Sequence, residues 1–170
     1  MGISMTLYLD MDGVIADFFS LLAKENNVTH WKSIKDKELA LVKVRNTDFF
    51  NKIDKFDSAI TLIDYARTLD GWGICSSPLR GDRDNSAYWK RVWLQRHGWM
   101  PEVENCIFTS NKHKYAINRL TGEPNILVDD KQDNIIRWRT AGGIGIRYQA
   151  DEDDVFDLID EIQGAIDGVS

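Results

Sequence analysis

The chain has 170 residues, 43% of them hydrophobic, and a formal net charge of −6 at pH 7. This length suits one domain, or one domain with a modest insert, and the composition can supply a buried core. Because a general nucleic-acid surface would be basic, the acidic balance argues against long nucleic acid as a partner, although one local site can still attract a small anion.

The sequence also indicates where the protein works. Its apolar stretches are shorter than a membrane span, and its N-terminus lacks the basic start and apolar run of a signal peptide. Cys75 and Cys106 lie far apart without a CxxC partner, which is typical of a reducing compartment. We therefore expect a cytoplasmic protein with no membrane partner. Its oligomeric state is left open, with a homodimer as one option.

Short apolar runs alternate with helical patterns along most of the chain. Strands alternating with helices predict an α/β fold, with a Rossmann-like parallel sheet flanked by helices on both faces. The polar, lysine-rich stretch from 16 to 56 has only a thin apolar face. We expect it to form a small helical cap inserted after the first strand, with 1–15 and 57–170 as the core domain. A short helix is also expected at 115–120. The predicted strands are 6–10, 72–76, 106–109, 126–128 and 144–148.

Two aspartates and a glycine, Asp10, Asp12 and Gly13, follow the first apolar run. Two carboxylates at the end of a strand form a compact negative site that suits Mg²⁺, which takes oxygen ligands and often a substrate phosphate. Alone this pattern is weak, because Asp and Gly are common in turns. A calcium-binding EF-hand loop fits poorly, since Gly13 follows Asp12 directly.

Polar residues follow three further predicted strands, and this repetition is a stronger signal than any one of them. Each alone has an ordinary structural explanation: a turn, solvated lysines, or a helix cap. Together they favour a phosphate-and-metal site, because the carboxyl ends of parallel strands share one edge where ligands bind. The residues are Ser76 and Ser77, Lys112 and Lys114, and Asp129 and Asp130.

These motifs resemble those of the haloacid dehalogenase (HAD) superfamily of phosphohydrolases. More narrowly, the segments 10–18, 49–50, 74–78 and 127–130 look like those of the 5'(3')-deoxyribonucleotidases. That resemblance implies a small Mg²⁺-dependent enzyme with a helical cap, which removes phosphate from nucleoside monophosphates. The segment from 119 to 124 is longer than the family pattern suggests, and Ser76 stands where threonine is common.

The chemistry of a phosphate monoester assigns a role to each residue. Asp10 is the expected nucleophile, and Asp12 the acid that protonates the leaving oxygen and later activates water. Ser76 is expected to hydrogen-bond a phosphoryl oxygen and Lys114 to offset transition-state charge. Lys112 is the alternative to Lys114, which is preferred because it leads into the expected helix. The predicted metal ligands are Asp10, Asp12, Asp129 and Asp130, with Asp12 using its backbone carbonyl as the resemblance implies.

Three phenylalanines, Phe18, Phe49 and Phe50, are candidates for contact with a nucleobase, although aromatic residues more often belong to the core. Ser77 is expected to add a hydroxyl or backbone donor at the substrate. The predicted function is thus hydrolysis of (deoxy)nucleoside monophosphates, a small-molecule phosphomonoester being the partner. Alternatives are a HAD phosphatase acting on a sugar phosphate or a 3'-phosphate end, and a non-catalytic phosphate-binding module.

Overall fold

In the described part of the chain, the sheet has five parallel strands in the order β3-β2-β1-β4-β5. This computed structural model describes residues 5–169. The order places β1 in the middle, between the second and fourth strands, and confirms the predicted parallel α/β architecture. The strands are β1 (Leu7–Leu9), β2 (Trp72–Ser76), β3 (Cys106–Phe108), β4 (Ile126–Asp129) and β5 (Ile144–Arg147).

The register of β1 and β4 places Asp10 and Asp129 side by side at the ends of the two strands. Leu9 is paired with Val128, so the next residues along the two strands are Asp10 and Asp129. The Asp10 backbone N–H donates to the Val128 carbonyl over 2.9 Å, which continues the strand pairing past the end of β1. Because every residue of β1 and β4 is buried, this edge is held rigidly.

Six α-helices surround the sheet within residues 5–169. Side-chain caps start three of them, since Asp17 accepts from the Ser20 N–H, Asp36 from the Leu39 N–H and Asp154 from the Phe156 N–H. No helix within residues 5–169 combines the length and apolarity needed to cross a membrane. The helices are α1 (Phe18–Glu25), α2 (Lys37–Lys43), α3 (Ser58–Ala66), α4 (Arg83–Arg96), α5 (Gln132–Thr140) and α6 (Val155–Val169).

The stretch from 16 to 56 contains α1, α2 and two 3₁₀ turns, Trp31–Ser33 and Phe49–Asn51. Its buried residues Ile34, Val44 and Phe49 belong to the same hydrophobic cluster as the sheet residues. Burying these side chains against the sheet anchors the insert above the carboxyl edge. We propose on this basis that the insert acts as a cap over the core.

The helix expected at 115–120 is absent, and that prediction was wrong. A 3₁₀ turn, Lys112–Tyr115, comes first, and Ile117 then forms an isolated antiparallel bridge with Pro124. The buried Asn125 explains the difference. Its side-chain amide donates to the Tyr115 carbonyl and its backbone N–H to the Ala116 carbonyl, which satisfies groups that a helix would otherwise use.

Candidate active site

A buried lysine joins two of the strand-end carboxylates. Lys112 Nζ lies 3.0 Å from Asp10 Oδ1 and 2.6 Å from Asp129 Oδ2. All three residues are buried, with Asp129 fully so. Burial costs each charge its hydration, so the group is stable only because opposite charges are in contact. The 3₁₀ turn after β3 carries this lysine back over the sheet edge.

The neighbouring carboxylates, Asp129 and Asp130, differ in their surroundings. Both oxygens of Asp129 already accept hydrogen bonds, from the Lys131 backbone N–H, Lys112 Nζ and the Asn134 side-chain amide. Asp130 instead lies against Asp10, and among the described residues no ion pair reaches it. Asp130 is thus the carboxylate of this group without a cationic partner among residues 5–169.

The crowding of these carboxylates raises the pKa values of two of them. Burial is the main cause for Asp10, whose pKa rises to about 7, and Asp129 adds to it while Lys112 opposes it. Burial and the negative charges of Asp10 and Asp129 raise the pKa of Asp130 to about 9. Burial favours the neutral form of Lys112, but the adjacent carboxylates outweigh it and raise its pKa. The site therefore has an excess of negative charge that a cation would relieve.

The geometry of the carboxylates fits a divalent cation. Asp10, Asp129 and Asp130 each offer a carboxylate oxygen, and these oxygens lie within 4.8 Å of one another. An all-oxygen set of this kind suits Mg²⁺ better than metals that prefer nitrogen or sulfur. Asp130 is the best candidate for direct ligation, since Asp129 is committed to protein donors. The carboxylate of Asp12 is outside this group.

Asp12 is instead bound by a second buried lysine, which the sequence analysis missed. Lys90 Nζ lies 3.0 Å from Asp12 Oδ2 and also contacts Ser76 Oγ at 2.8 Å and the Ser77 carbonyl at 2.9 Å. The sequence did contain a signal for this lysine, because Lys90 is at helical spacing from Ala87, Trp93 and Leu94, which lie on the buried face of α4. A lysine among such residues is seldom buried without partners.

The structure corrects the choice between the two lysines after β3. Lys112 reaches Asp10 and Asp129, whereas Lys114 is exposed, two residues further along the 3₁₀ turn. The preference for Lys114 depended on a following helix that does not exist. A side chain two residues away in a tight turn points elsewhere, so the lysine of the cluster is Lys112.

Ser76 and Ser77 occupy different layers of the site. Ser76 is fully buried at the end of β2, and its hydroxyl accepts a hydrogen bond from Lys90. Ser77 lines the open cavity above the carboxylates. A phosphate entering this cavity would therefore meet Ser77 first, with Ser76 behind it.

The cavity above the carboxylates has a volume of about 1020 Å³, and one of its walls is aromatic. Phe19 and Trp31 pack with their ring centres 4.8 Å apart, and Phe18 joins them 5.3 Å from Phe19. The cavity-lining residues include Asp10, Asp12, Phe18, Phe19, His30, Trp31, Ser77, Arg80, Lys112, Asp129 and Asp130.

The predicted contact of Phe49 and Phe50 with substrate is not supported. Both rings are buried in the core, and neither is among the residues that line the cavity. They pack behind Phe18, with ring centres 5.6 Å and 6.0 Å from it. Their apolar surface is used to hold Phe18 at the wall, so Phe18 alone of the three is available to a ligand.

We expect Mg²⁺ to stabilise the protein more as the pH rises. The raised pKa values of Asp10 and Asp130 mean that the folded protein binds more protons than the unfolded chain between about pH 4 and pH 9. The metal-free protein therefore loses stability as pH rises through this range, while the ionised carboxylates bind Mg²⁺ better. Melting temperatures measured with Mg²⁺ and with EDTA at pH 5 and pH 8.5 test this. An equal Mg²⁺ effect at both pH values would contradict it.

Gly13→Ala is expected to disturb the site directly. Gly13 has φ +83°, and a Cβ added there would lie 2.6 Å from Cγ of Asp130. We expect a loss of about 1–2 kcal/mol from backbone strain, together with weaker Mg²⁺ binding because Asp130 must move. Urea unfolding and Mg²⁺ titration measure the two effects. Gly98→Ala is the matched control, since Gly98 also has a positive φ, +71°, but no atom lies within 4 Å of its added Cβ. Equal Mg²⁺ affinity in both variants would contradict the contact.

The sequence matches no protein-family model and no curated protein. Its fold is nevertheless similar to solved structures of hydrolases. A predicted phosphatase from Clostridium acetobutylicum superposes with a TM-score of 0.54 at 13% identity, covering 96% of this chain and 100% of that one. The HAD hydrolase YfnB from Bacillus subtilis, bound to magnesium, gives a TM-score of 0.56 at 14% identity, covering 89% of each chain.

A HAD-family hydrolase from Deinococcus radiodurans, with bound phosphate and sodium, gives a TM-score of 0.52 at 14% identity and covers 84% of this chain and 79% of that one. The chain therefore has the HAD-like fold that its motifs predicted. At such low identities the likeness concerns the fold alone, so activity and substrate are argued from the site.

Proposed function

We propose that this protein is a Mg²⁺-dependent phosphatase that hydrolyses (deoxy)nucleoside monophosphates through an aspartyl-phosphate on Asp10. The observation that carries the proposal is the cluster at the carboxyl edge of the sheet. There Asp10 and Asp129 contact Lys112 and Asp130 lies beside them, and Asp12 lines the same cavity two residues after Asp10. A buried nucleophile, a nearby second carboxylate and an uncompensated acidic group form the set that phosphate ester hydrolysis requires.

The reaction has two halves. In the first, an Asp10 carboxylate oxygen bonds to phosphorus, the bond to the ester oxygen breaks, and Asp12 gives that oxygen its proton. In the second, Asp12 takes a proton from water, the water oxygen bonds to phosphorus, and the bond to Asp10 breaks. Nucleoside and inorganic phosphate leave, and both aspartates return to their starting states.

The remaining polar residues bind and orient the phosphoryl group. Lys112, in contact with Asp10, offsets the charge that builds up in the transition state, the role first expected of Lys114. Ser77 lines the cavity and offers a hydrogen bond to a phosphoryl oxygen, with Ser76 supporting the site from behind. Phosphoryl transfer depends mainly on such positioning and charge stabilisation.

Asp10, Asp129 and Asp130 would hold Mg²⁺, with the backbone carbonyl of Asp12 as the ligand that the family resemblance implies. Bound there, the ion would neutralise phosphoryl oxygen charge and align the phosphate with Asp10. The raised pKa values of Asp10 and Asp130 support this assignment, because burial and then neighbouring negative charge disfavour the ionised carboxylates, and a bound cation would offset both effects.

The aromatic wall supports a nucleotide substrate. Phe18, Phe19 and Trp31 line the cavity whose floor is the carboxylate cluster. A sugar phosphate would leave these rings without a partner, whereas a nucleobase can stack on one of them. We also propose that the partner is a small-molecule phosphomonoester, that the protein is cytoplasmic and that it forms a homodimer.

Phosphate release from a panel of substrates tests the proposal. The panel contains ribo- and deoxyribonucleoside 5'- and 3'-monophosphates and sugar phosphates, each with Mg²⁺ and with EDTA. Metal-dependent turnover of a nucleotide is the expected result. Turnover confined to sugar phosphates would support the phosphatase mechanism but contradict the nucleotide substrate. No turnover by folded protein with Mg²⁺ bound would favour the phosphate-binding module.

Trp31→Ala is expected to reduce kcat/KM for a nucleotide by roughly 5- to 160-fold, because base stacking on an aromatic ring contributes about 1–3 kcal/mol. The loss should fall mainly on KM, since Trp31 belongs to the cavity wall and the reacting groups lie on its floor. Steady-state kinetics with a deoxynucleotide and with deoxyribose 5-phosphate separate the two contributions. Tyr88→Ala, which removes an exposed ring that does not line the cavity, is the control. Equal losses with both substrates would contradict stacking.

A further inference from the structure

We propose that Lys90 is a positioning residue that holds the Asp12 carboxylate in place for proton transfer to the leaving group. This inference builds on the proposed function and assigns a residue that the four sequence motifs do not include. Lys90 comes from α4, on the core side of the site, and its side chain is buried. Its ammonium group nevertheless reaches the one strand-end aspartate outside the acidic cluster.

The contacts of Lys90 fix its ammonium group in one place. An ammonium has three N–H donors and no acceptor. The three acceptors here are Asp12 Oδ2 at 3.0 Å, Ser76 Oγ at 2.8 Å and the Ser77 carbonyl at 2.9 Å. Every donor therefore has a partner, and any rotation of the group would break a buried hydrogen bond.

An aromatic ring closes the remaining side of Lys90. Its Nζ lies 4.9 Å from the ring centre of Phe50, which is itself buried in the insert. A cation over a ring face is stabilised by the negative charge of that face. The contact also explains why Phe50 is buried although it lies close to the site. It joins the insert to the residue that holds Asp12.

In this arrangement the two oxygens of the Asp12 carboxylate have different roles. Oδ2 is occupied by Lys90, so Oδ1 is the oxygen left free to face the ester oxygen or water. Asp12 is only partly buried and lies directly before the turn at 13–15, so without Lys90 its side chain would be free to adopt other rotamers. Proton transfer requires hydrogen-bond reach to the reacting oxygen, and a misplaced carboxylate loses it.

The proposal predicts a loss that depends on the leaving group. An alkyl phosphate or nucleotide needs a proton on its departing oxygen, whereas p-nitrophenyl phosphate releases a stable anion without one. We expect Lys90→Met to lower kcat/KM, which reports the steps up to release of the leaving group, by about 10²-fold for a nucleotide and by less than about tenfold for p-nitrophenyl phosphate. Lys114→Met, the same change at an exposed lysine, should alter neither.

A series of aryl phosphates with graded leaving groups tests this. The dependence of kcat/KM on the leaving-group pKa should steepen in Lys90→Met, and Asp12→Asn should show the same steepening without further change in the double variant. A parallel loss across the series, or a change in KM alone, would show a purely structural role and overturn the proposal. If Lys90→Met does not fold, Phe50→Leu should give a smaller loss with the same dependence on the leaving group. An unchanged leaving-group dependence in Phe50→Leu would also overturn the proposal.

A second readout is independent of turnover. In the metal-free protein, the shifts in urea midpoint caused by Lys90→Met and Asp12→Asn should be non-additive, because the two residues are in contact. Additive shifts would show that the contact does not exist in solution. If the wild type hydrolyses no phosphomonoester but the shifts are non-additive, the phosphatase function fails while the Lys90–Asp12 contact stands.

Discussion

Replacing Asp10 with Asn is expected to lower phosphate release by at least about 10⁴-fold, the scale of loss seen when a covalent nucleophile is removed. The amide keeps the shape of the side chain but is too weak a nucleophile to attack phosphorus. Asp10 is buried and contacts Lys112, so no other carboxylate can take its position without moving the sheet edge. Steady-state release from a nucleotide, with Mg²⁺ at saturation, is the measurement.

The stability of the same variant separates chemistry from folding. Burial raises the pKa of Asp10 to about 7, so above that pH its ionised form lowers the stability of the metal-free folded protein. A neutral amide is therefore tolerated there, and the urea midpoint of Asp10→Asn with EDTA should equal or exceed that of the wild type at pH 8. An active Asp10→Asn enzyme would overturn the role of Asp10 as nucleophile.

Lys112→Met is the second change with a large expected effect. Removing one partner of a buried charge pair typically costs about 3–5 kcal/mol, because the remaining charges lose their compensation. Here Asp10 and Asp129 would both lose Lys112. We also expect kcat to fall by about 10²- to 10³-fold, since the cation beside the transferred phosphoryl group is lost.

The pH dependence of that destabilisation is a further part of the same prediction. Without Lys112, the adjacent carboxylates can avoid repulsion only by binding protons, so the loss of stability should be smaller at pH 5 than at pH 8. Urea unfolding with EDTA at both pH values measures it. Lys114→Met is the matched control and should change the free energy of unfolding by no more than about 0.5 kcal/mol. Equal effects of the two substitutions would contradict the placement of Lys112.

The parallel sheet and its functional edge could be predicted from the sequence because both depend on local patterns. Apolar runs such as 126–128 are confirmed as strands, and polar residues follow them where the chain leaves the sheet. Once the strands are parallel, their carboxyl ends meet at one edge. Asp10 and Asp129 therefore lie together through strand register.

The errors concern residues whose position depends on tertiary contacts. Lys114 was preferred over Lys112 because a helix was expected at 115–120, and Asn125 instead holds that segment in a turn. Phe49 and Phe50 looked like ligand contacts because aromatic residues serve equally in cores and pockets. Sequence spacing cannot distinguish these uses, since burial is decided by the elements that pack above.

Lys90 was missed for a different reason. It lies in the middle of α4, far along the chain from the end of any strand, whereas the predicted site residues all follow strand ends. Its partners Asp12 and Ser76 are 78 and 14 residues away in the chain. Such a contact can be identified only after the helix has been placed against the sheet. A lysine at a buried helical position nevertheless indicates that a polar or charged partner lies nearby.

The most direct test of the central claim is a pre-steady-state measurement with p-nitrophenyl phosphate in Asp12→Asn. This substrate needs no proton on its leaving group, so phosphoryl transfer to Asp10 should proceed, while hydrolysis of the aspartyl-phosphate, which needs Asp12 as base, should stall. We expect a burst of about one p-nitrophenolate per enzyme, followed by a slow phase, with phosphate release lagging behind. The burst should vanish when Asp10→Asn is added. A burst that survives that change, or phosphate released in step with p-nitrophenolate from the first turnover, would contradict the covalent role of Asp10.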